Sequence, residues 1–385
     1  MHASWLELFY ASFPGLKADT QSPLVANADV LWSALARLLN ANAPRTGCAL
    51  PGGIGEVIAQ IAAEQGIADR FTIDFANTGC AAITLGVHKP QPDILIVAHM
   101  DRPSFRVRSA ASGEIYPVCA VRIPKGGYRC AAKAVRYDPA ARGLVVTSHG
   151  EFIGGEGSLH YQTSGSLSAI DTIVMDAEPT LTDGVIVGTG LDNCLGVIAA
   201  LGAALILKAG ESALIAANQR VMIAFSDEEE GNPEVFFGHG AARLAHAARP
   251  EIGAIICDAH TAGNGLVPQL GGGASHGVVT GQGKGSLVGL NYVALADSMI
   301  RDLERKQPGT AQFNDGYLSR SDDMGMSRVT RVLGLIGAPM RDPHTAQESA
   351  HLRDLPPTMV WLAMYTAACL GLSPELTRDF ALVGQ

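Results

Sequence analysis

The sequence predicts an α/β fold that is interrupted by a β-rich insertion. Apolar runs of strand length alternate with segments of helical periodicity, as in sheets covered by helices. From about residue 105 to residue 187, short β-type segments broken by Gly, Ser and Pro replace this alternation. Because 385 residues are also many for one core, we expect two domains. The main domain would comprise residues 1–104 and 188–385, with the inserted domain, residues 105–187, between its two parts.

The overall composition is typical of a compact, loop-rich α/β enzyme. Hydrophobic residues make up 47% of the chain and charged residues 17%, and 44 residues are glycine, which argues against a disordered or fibrous protein. Lys and Arg number 28 and Asp and Glu 37, so the net charge is 28 − 37 = −9, and no basic block stands out. We therefore expect no nucleic-acid partner.

The cysteines and the N-terminus favour the cytoplasm. Seven scattered cysteines without a C-x-x-C spacing indicate reduced core residues rather than disulfides or a thiolate zinc site. The first residues lack a targeting pattern, and no uncharged apolar run approaches the length of a membrane span, so we expect no membrane association. The cysteines are Cys48, Cys80, Cys119, Cys130, Cys194, Cys257 and Cys369.

Two helices and three strands are predicted before the insertion. Leucine and valine recur at helical spacing after a Ser-Pro start, and a second helix follows a Pro-Gly-Gly turn. The last strand is almost wholly apolar, as in a sheet buried on both faces. The predicted ranges are 22–42 and 55–65 for the helices and 71–75, 81–85 and 93–99 for the strands.

The α/β pattern resumes at Gly188 with a helix of small residues that must pack closely in a core. Buried strands and amphipathic helices then alternate to the end of the chain. The predicted helices are 188–207, 240–248, 293–305 and 357–370, with a short one beginning in 319–325, and the predicted strands are 219–225, 252–258 and 332–336.

Chemically active side chains follow three of these buried strands. His99 ends the first, three consecutive glutamates in Asp227-Glu-Glu-Glu-Gly231 follow the second, and Asp258 ends the third. Open α/β sheets bind ligands at such strand ends, and burying a cluster of acids is costly unless a cation lies among them. Simple solvation or helix capping explains one such acid but explains the repetition poorly.

Two further residues have both structural and chemical interpretations. Asp101 follows His99 by two positions and could accept a proton from one ring nitrogen, which would fix the tautomer of the imidazole. Asp192 lies near the start of a helix, where a carboxylate is also a common N-cap. A structural role for His99 alone is equally ordinary, so the pair with Asp101 is better evidence than either residue.

Together these side chains predict a metal pair. Two imidazoles and three carboxylates suit Zn²⁺, Co²⁺ or Mn²⁺, and five ligands are too many for one four-coordinate catalytic zinc with an open position. A bridging carboxylate and a bridging water are expected in such a pair, with a remaining glutamate taking the proton of the water and passing it to the leaving amine. The candidate ligands are His99, Asp192, one of Glu228, Glu229 and Glu230, Asp258, and His344.

The motifs resemble the TET-type dinuclear metallo-aminopeptidases, the glutamyl and deblocking aminopeptidases among the co-catalytic zinc exopeptidases. The resemblance implies a doubly wound mixed sheet with helices on both faces and an inserted β-barrel-like domain that serves as lid and assembly domain. The matching motifs, in the family's order across nearly the whole chain, are Ala98-His-Met-Asp101, Gly190-Leu-Asp-Asn193, Glu228-Glu-Glu-Gly231, Ile256-Cys-Asp258 with Ala262-Gly263, Ser321-Asp-Asp-Met-Gly325 and His344-Thr-Ala-Gln-Glu348.

The same resemblance implies the roles of individual residues. His99 and Asp258 would bind metal alongside Glu229 and His344, with Asp192 bridging the two ions. Glu228 would be the general base. Asp101 is expected at the catalytic site on its spacing alone, as the carboxylate that supports His99. A second register, with Glu229 as base and Glu230 as ligand, stays open. The first register is favoured because the family places one residue between ligand and glycine, which leaves Glu230 solvated or in a supporting role.

The sequence departs from the family pattern at three places. Arg102-Pro103 replaces an acidic-apolar pair, Asn193-Cys194 replaces Asp-Arg, and the link over residues 232–239 is longer than usual.

We expect a cytoplasmic enzyme with two divalent ions, most readily Zn, with Co or Mn as alternatives. It would act on peptides and form a homo-oligomer, from a dimer to a dodecamer. The rivals are a related carboxypeptidase or N-acyl amino acid deacylase, and a binding scaffold without activity.

Overall fold

The computed structural model describes residues 4–13, 22–124, 126–155, 157–231, 237–263, 268–314, 316, 318–372 and 377–382. The helices are α1 (Trp5–Ser12), α2 (Pro23–Ala26), α3 (Ala28–Asn40), α4 (Ile54–Glu64), α5 (Leu191–Ala209), α6 (Glu211–Ala216), α7 (His239–Ala248), α8 (Leu290–Lys306), α9 (Asp323–Met326) and α10 (Leu355–Cys369). The strands are β1 (Phe71–Thr72), β2 (Ala81–Gly86), β3 (Ile94–His99), β4 (Ser104–Ser109), β5 (Glu114–Pro117), β6 (Tyr128–Asp138), β7 (Gly143–Gly155), β8 (Ser158–Thr163), β9 (Thr172–Met175), β10 (Thr180–Thr182), β11 (Val185–Gly188), β12 (Arg220–Ser226), β13 (Gly253–Cys257), β14 (His260–Thr261), β15 (Ala274–Gly277), β16 (Ala311–Asn314), β17 (Val332–Gly337), β18 (Pro339–Arg341) and β19 (Glu348–His351).

An eight-stranded mixed sheet forms the centre of the main domain, with the order β1-β2-β12-β3-β13-β17-β15-β16. Strands β12, β3, β13 and β17 are parallel neighbours, and every residue of β3 is buried, as its apolar sequence predicts. Helices cover both faces, and α5 packs against α10 and the central strands. The doubly wound α/β class is therefore confirmed. A second sheet of five strands has the order β10-β11-β19-β18-β14.

The inserted segment forms a closed barrel of six strands, β4-β5-β8-β7-β6-β9. It has its own apolar core, in which the ring centroids of Phe105 and Phe152 lie 4.7 Å apart. The barrel strands run from Ser104 to Met175, whereas β10 and β11 pair within the five-stranded sheet. The β-rich texture thus corresponds to a barrel, and its folding as a separate unit at residues 105–187 stays a prediction.

Several element boundaries differ from the sequence prediction for local reasons. The predicted helix 22–42 is divided at Asn27, whose side-chain oxygen accepts the backbone N–H groups of Asp29 and Val30 and so begins α3. The predicted strand 71–75 ends at Thr72, because Asp74 and Ala76 adopt left-handed backbone angles. Strands β18 and β19 were not predicted, because three or four residues are too few to show an alternation of buried and exposed side chains. Of the long link at 232–239, residues 232–236 lie outside the described residues.

Helix α5 is long and strongly apolar. By length and composition alone it could cross a membrane, although Asp192 and Lys208 lie near its two ends and shorten its uncharged run. However, 89% of its apolar window is buried inside the protein, where α5 contacts α10 and the central sheet. Its hydrophobicity is therefore that of a core helix, as the small residues in its sequence indicate.

Candidate metal centre

Three neighbouring parallel strands bring the predicted side chains to one edge of the large sheet. Strand β3 ends at His99, β12 ends at Ser226 immediately before the acidic run, and β13 ends at Cys257 immediately before Asp258. Because β3 lies between β12 and β13, with Ser226 opposite His99, the carboxyl ends of all three strands meet. The recurrence seen in the sequence is therefore a spatial cluster.

His99 lies at the centre of this cluster, with its side chain 2% exposed. Its Nε2 atom is 3.2 Å from Asp192 Oδ1, 3.5 Å from Asp258 Oδ1 and 3.9 Å from Glu229 Oε2. Burial alone would lower the pKa of His99, but the carboxylates of Glu229 and Asp258 outweigh it and raise the pKa well above its usual value. The surroundings of Nε2 thus strongly favour a positive charge.

Asp192 connects His99 with the second imidazole. Its Oδ2 atom lies 3.4 Å from His344 Nε2, while Oδ1 faces His99. Nδ1 of His344 donates a hydrogen bond of 2.6 Å to the carbonyl of Ala120, which leaves Nε2 free to face the carboxylates. One carboxylate therefore directs an oxygen to each of two imidazoles.

The side chains of Glu229 and Glu230 both face the cluster. Their backbone N–H groups donate to the two oxygens of the Asp101 carboxylate, each at 3.0 Å, and this fixes the loop after β12. Glu230 Oε1 lies 3.5 Å from His344 Nε2 and is buried, with no hydrogen-bond partner among the described residues. Burial raises the pKa of Glu230 to about 7, although His344 acts in the opposite direction.

Glu228 is the one predicted site residue that lies apart from this cluster. Its carboxylate accepts a hydrogen bond of 2.6 Å from Arg243, whose Nε also donates to the carbonyl of Thr78. The backbone of Glu228 is left-handed, with φ +64°, so its side chain turns away from those of the next two glutamates. Arg243 therefore holds the Glu228 carboxylate apart from those of Glu229 and Glu230.

Asp101 has a different set of contacts from the one predicted. His99 Nδ1 lies 3.2 Å from the backbone carbonyl of Asp101 and 3.7 Å from its carboxylate oxygen Oδ1. The carbonyl is therefore the closer acceptor for the ring N–H and determines the tautomer, while the carboxylate holds the glutamate loop. Asp101 thus positions two parts of the cluster at once.

Two buried residues that the sequence analysis left without a role join separate parts of the cluster. Glu348 accepts the backbone N–H of Leu191 at 2.7 Å through Oε2 and that of His344 at 2.8 Å through Oε1. Asn193 accepts the N–H of Ala259 at 3.1 Å and donates to the carbonyl of Cys257 at 2.9 Å. Both residues were inside quoted motifs, but three of these four hydrogen bonds join positions more than 60 residues apart and so leave no local pattern.

Asp322 and Cys119 are further buried groups at the cluster that sequence reasoning missed. Ser226 donates its hydroxyl to Asp322 Oδ2, whereas the described residues offer the buried Oδ1 atom no hydrogen-bond partner. Burial raises the pKa of Asp322 to about 7. Cys119 Sγ lies 2.6 Å from Glu230 Oε2. Nothing in the spacing of the cysteines distinguishes Cys119 from the others.

The cluster fits divalent cations on two observations. The ligand atoms of His99, Asp192 and Asp258 lie within 4.8 Å of one another, as do those of the group formed by His344, Glu230 and Cys119. The buried Glu230 Oε1 atom, which has no partner in the part of the chain that the structure describes, is an acceptor that a cation would satisfy. Imidazole and carboxylate are ligands that suit Zn²⁺, Co²⁺ and Mn²⁺.

A cavity of about 500 Å³ opens directly above this cluster. Its floor includes His99, Asp192 and Asp258, and its other lining residues include three cationic side chains. These are Arg122, Lys284 and Arg320. The cavity therefore has acidic groups at its base and basic groups at its wall, an arrangement that suits a molecule with groups of both charges.

Comparisons with known proteins support the fold assignment. The chain matches no protein-family profile and no curated protein sequence. Among solved structures, an aminopeptidase from the archaeon Desulfurococcus kamchatkensis is 18% identical, with a TM-score of 0.69 over 92% of this chain and 98% of that chain. A TET aminopeptidase from a marine sediment archaeon of the Thaumarchaeota is 17% identical, with a TM-score of 0.69 over 92% and 100% of the two chains.

A third solved structure adds a description of assembly. The TET1 peptidase of Pyrococcus horikoshii is 17% identical, with a TM-score of 0.65 over 87% of this chain and 98% of that chain, and it is described as forming a tetrahedron or a large octahedral shell. The resemblance to TET-type aminopeptidases, predicted from motifs, is thus confirmed at the level of the fold.

Proposed function

We propose that this protein is a metal-dependent aminopeptidase that uses two divalent ions to remove N-terminal residues from peptides. The observation that carries the proposal is the Asp192 carboxylate, which lies 3.2 Å from His99 Nε2 and 3.4 Å from His344 Nε2. A carboxylate between two imidazoles, each with further acids, is the arrangement expected of a bridging ligand in a metal pair. The fold shared with known aminopeptidases supports the same function.

Two sets of residues would hold the ions. The first set is His99, Asp192 and Asp258, and the second is Asp192, Glu230 and His344. Zinc is the metal that these ligands suit best, with cobalt or manganese as alternatives. When bound, such a pair polarises the scissile carbonyl and lowers the pKa of an attacking water.

Glu229 replaces Glu228 as the proposed general base. With Glu230 assigned to the second set of ligands, Glu229 is the remaining glutamate beside the cluster, 3.9 Å from His99 Nε2 and 5% exposed. Asp101 fixes it through the backbone hydrogen bond to Oδ1. In this position Glu229 would take a proton from water and return it to the leaving amine. The alternative register left open by the sequence is therefore the one we favour.

The cationic wall of the cavity supports substrates that carry a carboxylate. In a short peptide, the amino terminus would approach the acidic floor, while Arg122, Lys284 and Arg320 would face an acidic side chain or the terminal carboxylate. The same wall also favours the rival reading, a carboxypeptidase or N-acyl amino acid deacylase, because those enzymes must hold a free carboxylate. The rival and the proposal share the metal pair and differ in the bond cleaved.

One screen distinguishes these functions. The protein is loaded in parallel with Zn²⁺, Co²⁺ or Mn²⁺ and offered aminoacyl anilides, short peptides, N-blocked peptides and N-acyl amino acids. We expect release of N-terminal residues from unblocked substrates. Release of acyl groups alone would support the deacylase, and release of C-terminal residues from N-blocked peptides would support the carboxypeptidase. No turnover of any substrate with any ion would favour the binding scaffold.

We also propose that the protein forms a homo-oligomer in the cytoplasm. The assembly described for the TET1 peptidase of Pyrococcus horikoshii supports oligomer formation, and the reduced cysteines agree with the compartment. Light scattering coupled to size-exclusion chromatography measures the number of subunits. A monomer at all concentrations would contradict the first part of this proposal.

A further inference from the structure

Cys119 lies in a segment that the fold holds against the metal centre. This segment follows β5, and the backbone N–H of Val118 donates to the carbonyl of Ser104 at 2.8 Å. On its other side, the carbonyl of Ala120 accepts the Nδ1–H of His344, and the N–H of Arg122 donates to the carbonyl of the same histidine at 3.2 Å. The position of the thiol is therefore fixed relative to His344.

The thiol is close to two members of the second set of ligands. Cys119 Sγ lies 2.6 Å from Glu230 Oε2 and 3.8 Å from His344 Nδ1, and its residue is 0% exposed. The ligand atoms of these three residues lie within 4.8 Å of one another. Glu230 is 1% exposed, and its other oxygen, Oε1, lies 3.5 Å from His344 Nε2 with no hydrogen-bond partner among the described residues. The thiol therefore contacts a carboxylate whose second oxygen is a buried acceptor that a cation would satisfy.

We infer that Cys119 supplies a thiolate ligand to the second ion, together with Asp192, Glu230 and His344. The inference rests on the proposed function, since it assumes that an ion occupies this position. As the ion binds, the sulfur–metal bond forms and the thiol proton leaves to solvent. The first set of ligands contains only nitrogen and oxygen, so the two metal positions differ in chemistry.

Two consequences follow from a thiolate at only one position. Soft sulfur ligands favour Zn²⁺ and Cd²⁺ over Mn²⁺ and Mg²⁺, so the second position should discriminate between metals more strongly than the first. Four protein ligands also complete a tetrahedral zinc site, which should make the second ion the slower to exchange. The open coordination position would then lie on the first ion, beside His99 and Asp258.

Spectroscopy of the cobalt-loaded protein tests this inference apart from activity. A thiolate bound to Co²⁺ gives a near-ultraviolet charge-transfer band, which we expect in the wild type. Cys119→Ser should lose the band and bind the second ion about 10–100-fold more weakly, on the scale of losses at supporting metal-site residues. Cys130→Ser, in β6 of the barrel and outside the candidate ligand groups of the described residues, is the matched control and should keep both the band and the affinity.

A second measurement avoids any variant that fails to fold. X-ray absorption of the zinc-loaded wild type should show a sulfur neighbour at about 2.3 Å. Only nitrogen and oxygen neighbours, or a cobalt band that persists in Cys119→Ser, would overturn the inference and leave the thiol as a hydrogen-bond donor to Glu230. If the inference fails but the protein binds two ions and cleaves peptides normally, the proposed function stands. A wild type that binds no metal pair would overturn both the proposed function and the thiolate ligand.

Discussion

Three neighbouring glutamates allow a direct test of the catalytic register. Glu228→Gln, Glu229→Gln and Glu230→Gln each keep side-chain shape and remove one negative charge. In the structure Glu228 pairs with Arg243, and their side chains are 18% and 43% exposed. A pair with this degree of exposure contributes roughly 0–1 kcal/mol to stability. Because Glu228 also lies apart from the cluster, Glu228→Gln should change turnover by no more than about fivefold.

The other two variants should differ from Glu228→Gln and from each other. Glu229→Gln removes the proposed proton acceptor, so kcat should fall by about 10²–10⁴-fold while two ions stay bound. Glu230→Gln removes a ligand, so one ion should be lost, with activity partly restored at high metal concentration. Steady-state kinetics with metal analysis of each variant measures all these quantities.

A clear result would refute this reasoning. If Glu228→Gln loses activity by more than about 10²-fold with both ions retained, and Glu229→Gln instead loses metal, the register is the one that the sequence favoured. That outcome would mean that the loop after β12 rearranges when metal binds, despite the two hydrogen bonds from its backbone to Asp101. Arg243→Gln is the matched control, because it breaks the ion pair and leaves every glutamate in place.

Three further predictions concern the surroundings of the metal pair. Glu348→Gln should weaken metal binding about 10–100-fold and destabilise the protein by about 1–3 kcal/mol, measured by metal titration and urea unfolding. The buried N–H groups of Leu191 and His344 bind separate oxygens of Glu348, and the amide nitrogen of glutamine cannot accept either of them. In the metal-free protein, burial raises the pKa of Glu230 to about 7 and of Glu348 to about 8. Since these values exceed those of the unfolded chain, the free energy of unfolding should fall as pH rises from about 5 to 8, and added Zn²⁺ should reduce this fall; a metal-free protein that gains stability over the same range would contradict it. Arg122→Gln should lower kcat/KM about 10–100-fold for substrates with a free carboxylate and leave amidated analogues unchanged, because a hydrogen bond to a charged group contributes roughly 1.5–3 kcal/mol.

The fold and most of the cluster could be predicted because they depend on local patterns. An apolar run followed by His99 or Asp258 predicts a buried strand with a functional end, and neighbouring parallel strands bring such ends together. Asp192 and His344 lie at a helix start and in a loop, so the chemistry of the ligand set suggested them and the resemblance to a known family implied their roles. All four lie in the cluster together with Glu229.

The register that we propose for the glutamates could not be predicted, because it rests on contacts between distant parts of the chain. Counting back from Gly231 selects Glu228 and Glu229, but Asp101 binds the N–H groups of the second and third glutamates. Arg243 lies on α7, beyond the acidic run, and draws Glu228 away from the cluster. Cys119 could not be found for the same reason, since only the docking of the barrel segment brings it beside Glu230.

The departures from the family pattern explain each other when their positions are compared. The Arg102 guanidinium is buried, and it donates through Nη1 to the carbonyl of Leu39 at 2.6 Å and through Nη2 to Cys194 Sγ at 3.4 Å. The family pattern has an acid at position 102 and an arginine at position 194, so the same two positions would also form a contact there, with the cation at 194 instead of 102. Here the cation comes from position 102 instead, and it binds the C-terminal carbonyl groups of α3, where a positive charge is favourable. Gly190 leaves it room, since a Cβ atom there would lie 2.5 Å from Arg102 Nε. The exchange therefore alters the support behind the cluster and leaves the proposed ligands unchanged.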